Sequence, residues 1–247
     1  EMLLGLVGSE MCIRDRRIME TKEVFDKVAS KYDIMNDIMS LGAHRYWKEL
    51  LIDWLSPEKE MHIIDVAGGT GDVARRFLKR VKGKGKATVC DPNEFMVEEG
   101  KKNHTFKDKI EWIVAPAEDL PFKENTFDAY VVSFGVRNFS NIEKSLGEAY
   151  RVLKPGGKFY CLEFSKAENE TISSVYNFYS SIIPVMGKII VGDEKPYEYL
   201  TKTISNFPSQ ENFKKIIEGT KFKDVNYRNI FNGIVAIHNA TKTINAQ

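Results

Sequence analysis

Residues 65–71 read Asp-Val-Ala-Gly-Gly-Thr-Gly, and twenty residues beyond the last glycine stands Asp91. The chemistry open to such a set is nucleoside binding. Glycines carry no Cβ and tolerate positive φ, so a loop built from them can bring its backbone close to a ligand. An acid at the end of the following strand is then placed to accept hydrogen bonds from ribose hydroxyls. A plain strand-to-helix turn, with Asp91 capping the next helix, is the structural alternative.

Three kinds of ligand use a loop of this type. The run Gly69-Thr70-Gly71-Asp72-Val73-Ala74 matches the dinucleotide pattern formally. A pyrophosphate, however, needs an unopposed helix N-terminus, whereas Asp72 stands at that terminus and Asp65 just before the loop. A P-loop is excluded because no Gly-Lys-Ser/Thr follows. S-adenosylmethionine has no phosphate and carries sulfonium and amino charge, so acids beside the loop suit it. Asp65, Gly68, Thr70, Gly71 and Asp91 are therefore the candidate residues for S-adenosylmethionine as cofactor.

The elements that must position this loop follow from periodicity. Residues 62–66 form an apolar strand, and the loop leads into a helix from 72 to about 81. Strands at 87–90 and 110–114 flank a helix at about 93–103, and residues 127–134 are apolar almost throughout, as a central strand covered on both faces requires. Ser140 and Glu143 have capping-box spacing ahead of a helix reaching Leu153, which Lys154-Pro155-Gly156-Gly157 closes. A fifth strand spans 158–164, and residues 222–240 read as an antiparallel pair turning near Asn232-Gly233. Helical spacing also appears at 24–32 and 45–55. The fold class is α/β: a Rossmann-like doubly wound sheet of about seven strands, mostly parallel with an antiparallel C-terminal strand, and helices on both faces. Residues 165–208 are too long for an ordinary connection and form a lid insertion, whose apolar part at 172–191 either packs as a helix pair or lines a substrate channel. Pro184, Gly187, Lys188 and Asn177 make it a poor membrane span.

Bulk properties agree with one domain. The chain has 247 residues, 43% of them hydrophobic, and a formal net charge of +1, which speaks against a basic nucleic-acid-binding surface. Cys12, Cys90 and Cys161 are scattered, in keeping with a reducing compartment, and the four histidines have no metal-ligand spacing, so no metal is expected. Residues 1–17 lack periodicity and fail as a signal peptide; they are expected to be a non-native or disordered tail before a domain at 18–240, with 241–247 a second tail.

Several blocks resemble one family closely. Residues 28–37, Val-Ala-Ser-Lys-Tyr-Asp-Ile-Met-Asn-Asp, and 40–48, Ser-Leu-Gly-Ala-His-Arg-Tyr-Trp-Lys, stand ahead of the loop; Ser133-Phe134-Gly135-Val136-Arg137-Asn138, residues 150–157, Leu162-Glu163-Phe164-Ser165-Lys166 and Gly233-Ile234-Val235-Ala236 follow it. Together they resemble class I S-adenosylmethionine-dependent methyltransferases, and within them the ubiquinone/menaquinone biosynthesis C-methyltransferase family. The resemblance spans residues 20–240.

It implies C-methylation of a polyprenylated quinol, with 2-methoxy-6-polyprenyl-1,4-benzoquinol preferred and demethylmenaquinol an alternative. Thr70 and Gly71 would approach the methionine part of the donor, Asp91 the ribose, and Ala117 the adenine, with Ser133 between donor and acceptor. Pro116 departs from the family pattern of a small polar or acidic residue, leaving adenine to the Ala117 backbone and to Glu118 or Asp119. Tyr32, Asn36, His44 and Trp47, with Phe134, would close over the quinol; the alternative is that Tyr32 and, above all, Trp47 pack as core aromatics and His44 is a satisfied surface group. A quinol carbon becomes nucleophilic as the hydroxyl proton leaves; Arg137 would stabilise the phenolate, its alternative role being a salt bridge to Asp128 or Glu163, and His44 would take the proton. The implied setting is cytoplasmic with peripheral contact at the inner face of the membrane, no nucleic-acid partner, and a homodimer or quinone-biosynthesis complex.

Overall fold

The computed structural model describes residues 36–37, 40–169 and 195–244. The tail at 1–17, the helix expected at 24–32, Tyr32, Cys12 and the apolar part of the lid insertion at 172–191 lie outside the described residues.

Helix α1 (Ala43–Leu55) precedes β1 (His62–Val66), α2 (Asp72–Arg80), β2 (Lys86–Asp91), α3 (Glu94–Lys101), β3 (Ile110–Val114) and β4 (Phe127–Ser133). Then come α4 (Ile142–Val152), β5 (Leu153–Phe164), α5 (Lys195–Asn206), α6 (Gln210–Glu218), β6 (Lys223–Ile230) and β7 (Val235–Thr241). The seven strands form one sheet in the order β3-β2-β1-β4-β5-β7-β6. Strands β1 to β5 run parallel, and β7 inserts antiparallel between β5 and β6. Only β7 therefore runs against the others.

Strand alternation divides the core into two layers. On β4, Ala129 and Val131 pack with α1, α2 and α5 through Leu51, Phe77 and Tyr197. Tyr130 and Val132 face the other way, onto α4 and α6 through Leu146 and Phe213. All of these side chains are buried, as a parallel sheet covered on both faces requires. After β1 the chain winds outward through β2 and β3, then returns to place β4 on the other side of β1. That reversal opens a crevice at the C-terminal ends of β1 and β4, where doubly wound sheets hold their ligands.

Two expected details differ. The N-cap of α4 is Asn141, whose Oδ1 accepts from the Lys144 N–H at 2.8 Å. Ser140 instead donates its N–H (2.7 Å) and hydroxyl (2.8 Å) to Glu118 Oε1, so no Ser140–Glu143 capping box forms. A distant carboxylate outcompetes the local one. Residues 154–157, expected to close α4, already belong to β5, with an irregularity in its pairing to β4. Among the described residues no helix is long and apolar enough to cross a membrane.

Candidate active site

The glycine loop is held by backbone packing and two buried acids. A Cβ on Gly68 would lie 2.8 Å from the Asp65 carbonyl oxygen and 2.9 Å from Val89 Cγ1, so that position has no room for a side chain. Gly71 stands at φ +76, and a Cβ there would meet the Trp112 ring at 2.7 Å. The Gly71 N–H donates to the Gly68 carbonyl at 2.8 Å, closing the turn. Asp91 accepts from the Gly69 N–H (2.8 Å) and the Asn93 N–H (2.9 Å). The helix after β2 is capped by Asn93, which leaves Asp91 to the loop.

Asp65 is wholly buried; Oδ2 accepts from the Ala74 N–H at 3.1 Å, and Oδ1 meets no partner among the described residues. Burial raises both acids, Asp65 to about 7 and Asp91 to about 6, against the backbone hydrogen bonds that favour their charged forms. Asp72, expected as a bare acid at the helix start, is instead paired: Lys48 Nζ donates to Oδ2 and Arg76 Nε to Oδ1, each at 3.0 Å. With Asp72 paired, exclusion of a pyrophosphate rests on Asp65.

Across the crevice, β4 ends at Ser133, whose Oγ is buried without a partner among the described residues. Phe134 follows at φ +58 and Ala67, after β1, at φ +51. Two non-glycine residues in left-handed backbone, at roughly 1–3 kcal/mol each, mark the ends of the two strands that flank the crevice. Pro116 is exposed and Ala117 buried beyond β3. Glu118, expected beside an adenine, gives Oε1 to Ser140 and Asn141.

Arg137 lies on the 3-10 turn Val136–Asn138 after β4. Its Nη1 donates to Glu163 Oε1 at 2.6 Å and to the Phe134 carbonyl at 2.5 Å, with side chains only 4% and 1% exposed for the ion pair. The salt bridge weighed against a phenolate role is thus formed, with Glu163 rather than Asp128. Asp128 instead accepts from the His62 N–H and Lys154. Arg137 Nε is buried with no partner among the described residues.

The N-terminal block arrives on α1. Gly42 at φ +78 turns the chain into the helix, and the Ser40 hydroxyl accepts from the His44 N–H while donating to the Asn36 carbonyl. His44 is buried; Nε2 pairs with Asp37 Oδ1 at 2.8 Å, and Nδ1 has no partner among the described residues. Burial and the Lys48 charge lower its pKa, although Asp37 and Asp72 oppose them. Arg45 also binds Asp37, at 2.8 and 2.9 Å, which holds the Asp37 carboxyl at about 2. Trp47 is 5% exposed, and its ring packs against Phe134 (6.1 Å) and Phe164 (5.9 Å), within the core over the crevice.

Glu163 is one of the two carboxylates expected for Arg137, whereas Asp37 and Lys48 are charged partners that the sequence motifs alone do not single out. A signal exists for one of them: His44 and Lys48 are four apart, one helical turn, on the side of α1 that also buries Leu51 and Leu55. The residues present suit S-adenosylmethionine. A turn with no room for a Cβ at Gly68 or Gly71, and buried oxygens on Asp65 and Ser133 without a partner among the described residues, stand at the C-terminal ends of β1 and β4.

Known proteins agree. The chain is 48% identical to the ubiquinone/menaquinone biosynthesis C-methyltransferase UbiE of Ruegeria sp., covering 95% of each chain. It is 46% identical to the mitochondrial 2-methoxy-6-polyprenyl-1,4-benzoquinol methylase of Dictyostelium discoideum, over 90% of this chain and 81% of that protein. Among solved structures, a methyltransferase from Thermotoga maritima superposes with a TM-score of 0.63 at 18% identity, over 90% of this chain and 99% of that one. The cyclase SpnF does so at 0.62 and 15%, over 91% and 96%. The structures at that identity establish the fold alone, since one of them is not a methyltransferase by name. The sequence match decides: residues 11–242 fit the model of the ubiE/COQ5 methyltransferase family, and the chain belongs to it.

Proposed function

We propose that this methyltransferase uses S-adenosylmethionine to methylate a ring carbon of a polyprenylated quinol, with 2-methoxy-6-polyprenyl-1,4-benzoquinol as the preferred acceptor. The observation that carries the reading is the β1/β4 reversal, where Asp65 and Ser133 each keep a buried oxygen with no partner among the described residues, beside a glycine turn packed too tightly against Asp65, Val89 and Trp112 to take a Cβ. When bound there, S-adenosylmethionine supplies an electrophilic methyl group.

The protein's own residues do the rest. Residues 68–71, with Asp65 and Asp91, hold the donor; Ala117 borders its base, and Ser133 and Phe134 separate donor from acceptor. Asn36, Trp47 and Phe134 shape the quinol side. His44, kept neutral near pH 7 by burial, has Nε2 oriented by Asp37, so the Nε2–H tautomer leaves Nδ1 able to accept the proton of the quinol hydroxyl. Arg137 cannot accept it, since guanidinium stays protonated. Fixed by Glu163, it supplies an oriented positive charge for the phenolate, reduced by its partner. Tyr32 belongs to the same block.

Leu41, Tyr46 and Phe231, each more than half exposed, support peripheral membrane contact at the face where such a quinol would enter. A cytoplasmic enzyme at the inner face of the membrane, alone, as a homodimer or in a quinone-biosynthesis complex, fits this. Incubating the enzyme with equimolar 2-methoxy-6-polyprenyl-1,4-benzoquinol and demethylmenaquinol tests the preference. Faster turnover of the benzoquinol is expected; exclusive turnover of demethylmenaquinol would move the protein to the other branch.

A further inference from the structure

We infer that Lys48 is a positioning residue that ties the acceptor-side helix α1 to the donor loop, holding Asp72 and through it the turn at 68–71 in donor-binding shape. This rests on the donor half of the function proposed above. Lys48 is 6% exposed, and lysine is seldom buried unless paired. Its Nζ reaches Asp72 Oδ2 at 3.0 Å across 24 residues of sequence. Asp72 is the first residue of α2 and directly follows Gly71, whose left-handed backbone sets the exit from the loop. Any shift of Asp72 is therefore a shift of the loop.

The link does not stand alone. Arg76 bridges Asp72 to Glu49 on α1, and Arg80 reaches Glu49 and Asp53, so one seam of charges joins the two helices. Within it Lys48 is the most buried member, with 7% side-chain exposure against 17% for Arg76 and 39% for Arg80. It is also the member whose charge acts on both sides of the crevice: it favours the ionised forms of Asp65 and Asp72 and the neutral form of His44. His44 lies one turn before it on α1. Acceptor block and donor loop thus share one buried ammonium.

A double-mutant cycle in donor affinity tests this, using titration calorimetry of S-adenosylhomocysteine with wild type, Lys48→Met, Asp72→Asn and the double variant. Lys48→Met should weaken binding by roughly tenfold, with the double variant no weaker than the worse single one, because both remove the same link. Lys48→Arg, which keeps the charge, should retain most of the affinity; this variant carries the test if Lys48→Met fails to fold. A role confined to stability would lower the melting temperature and leave the affinity of the folded protein unchanged. That result, or strictly additive losses, overturns the proposal. Failure of the wild type to bind S-adenosylhomocysteine overturns the donor reading itself, and the inference with it.

Discussion

Asp91 holds the glycine loop through the backbone N–H of Gly69 and is itself fixed by the backbone N–H of Asn93, whereas Arg137, at the same edge of the sheet, is held by the carboxylate of Glu163, 26 residues further along the chain. The contrast extends through the site. The donor side is made of main chain: glycines that accept no Cβ, turns closed by carbonyls, acids buried against amides. The proposed acceptor side is made of side-chain pairs, His44 with Asp37 and Arg137 with Glu163, and the Lys48–Asp72 pair joins it to the loop. Backbone geometry is encoded locally and tolerates few residue types. Ion pairs are encoded at two places and fail when either partner is lost.

The largest effect expected follows from that difference. Arg137→Ala removes the counter-charge from the buried Glu163 carboxyl, whose pKa burial already raises, and breaking a buried pair costs about 3–5 kcal/mol of stability. Chemical denaturation should show it, and Arg137→Met combined with Glu163→Gln should recover most of the loss. An Arg137→Ala variant as stable as wild type would mean that the pair does not organise the acceptor side.

Next is the donor turn. Gly68→Ala forces a Cβ against the Asp65 carbonyl and Val89, an overpacking cost of about 1–3 kcal/mol. Donor affinity should fall with it in calorimetry, while a substitution at Gly147, where a Cβ meets nothing, should leave affinity unchanged.

The buried acids give a pH signature with a definite sign. Asp65 rises from its ordinary value to about 7 in the fold, so the folded state binds its proton more tightly than the unfolded chain does. Its contribution to stability is full below pH 4 and is lost as pH rises towards 7, on the order of a few kcal/mol. A cationic donor favours the ionised form, so affinity should rise between pH 6 and 7.5 with release of a proton, and Asp65→Asn should flatten the dependence. Calorimetry in buffers of different ionisation enthalpy reads both. Affinity that falls over this range would remove Asp65 from the donor's charged groups.

The smallest effect lies outside both regions. Lys101 and Glu98 pair at 2.7 Å on the exposed side of α3, and Lys101→Ala should change stability by less than about 0.5 kcal/mol. A larger loss would mean that surface pairs carry weight here that the comparison assigns to buried ones.

The same contrast explains what could be read from the chain. The bounds of β1 and β3 and the place of the glycine loop follow from apolar runs and turn residues, because period and punctuation are local signals. The insertion of β7 between β5 and β6 is not local, and Asn232-Gly233 marks the turn without saying which strand lies next to β5. The capping box at Ser140 failed because Glu118, 22 residues earlier, supplies a stronger acceptor. Of the site residues, Asp65, the glycines and Asp91 announce themselves by type and spacing. His44 and Arg137 carry their chemistry in their names, but Asp37 emerges as the partner of His44 only in the fold, and the fold decides between Asp128 and Glu163 for Arg137. Asp72 taught the same lesson in reverse: an acid that looks unopposed along the sequence is neutralised by a lysine 24 residues away.

The most direct test of the central claim follows the methyl group. With isotopically labelled S-adenosylmethionine and the reduced 2-methoxy-6-polyprenyl-1,4-benzoquinol, nuclear magnetic resonance of the product should place the label on a ring carbon, with loss of the label when His44 is replaced by Asn. Label on a quinol oxygen, or none on any quinol offered, would contradict the account.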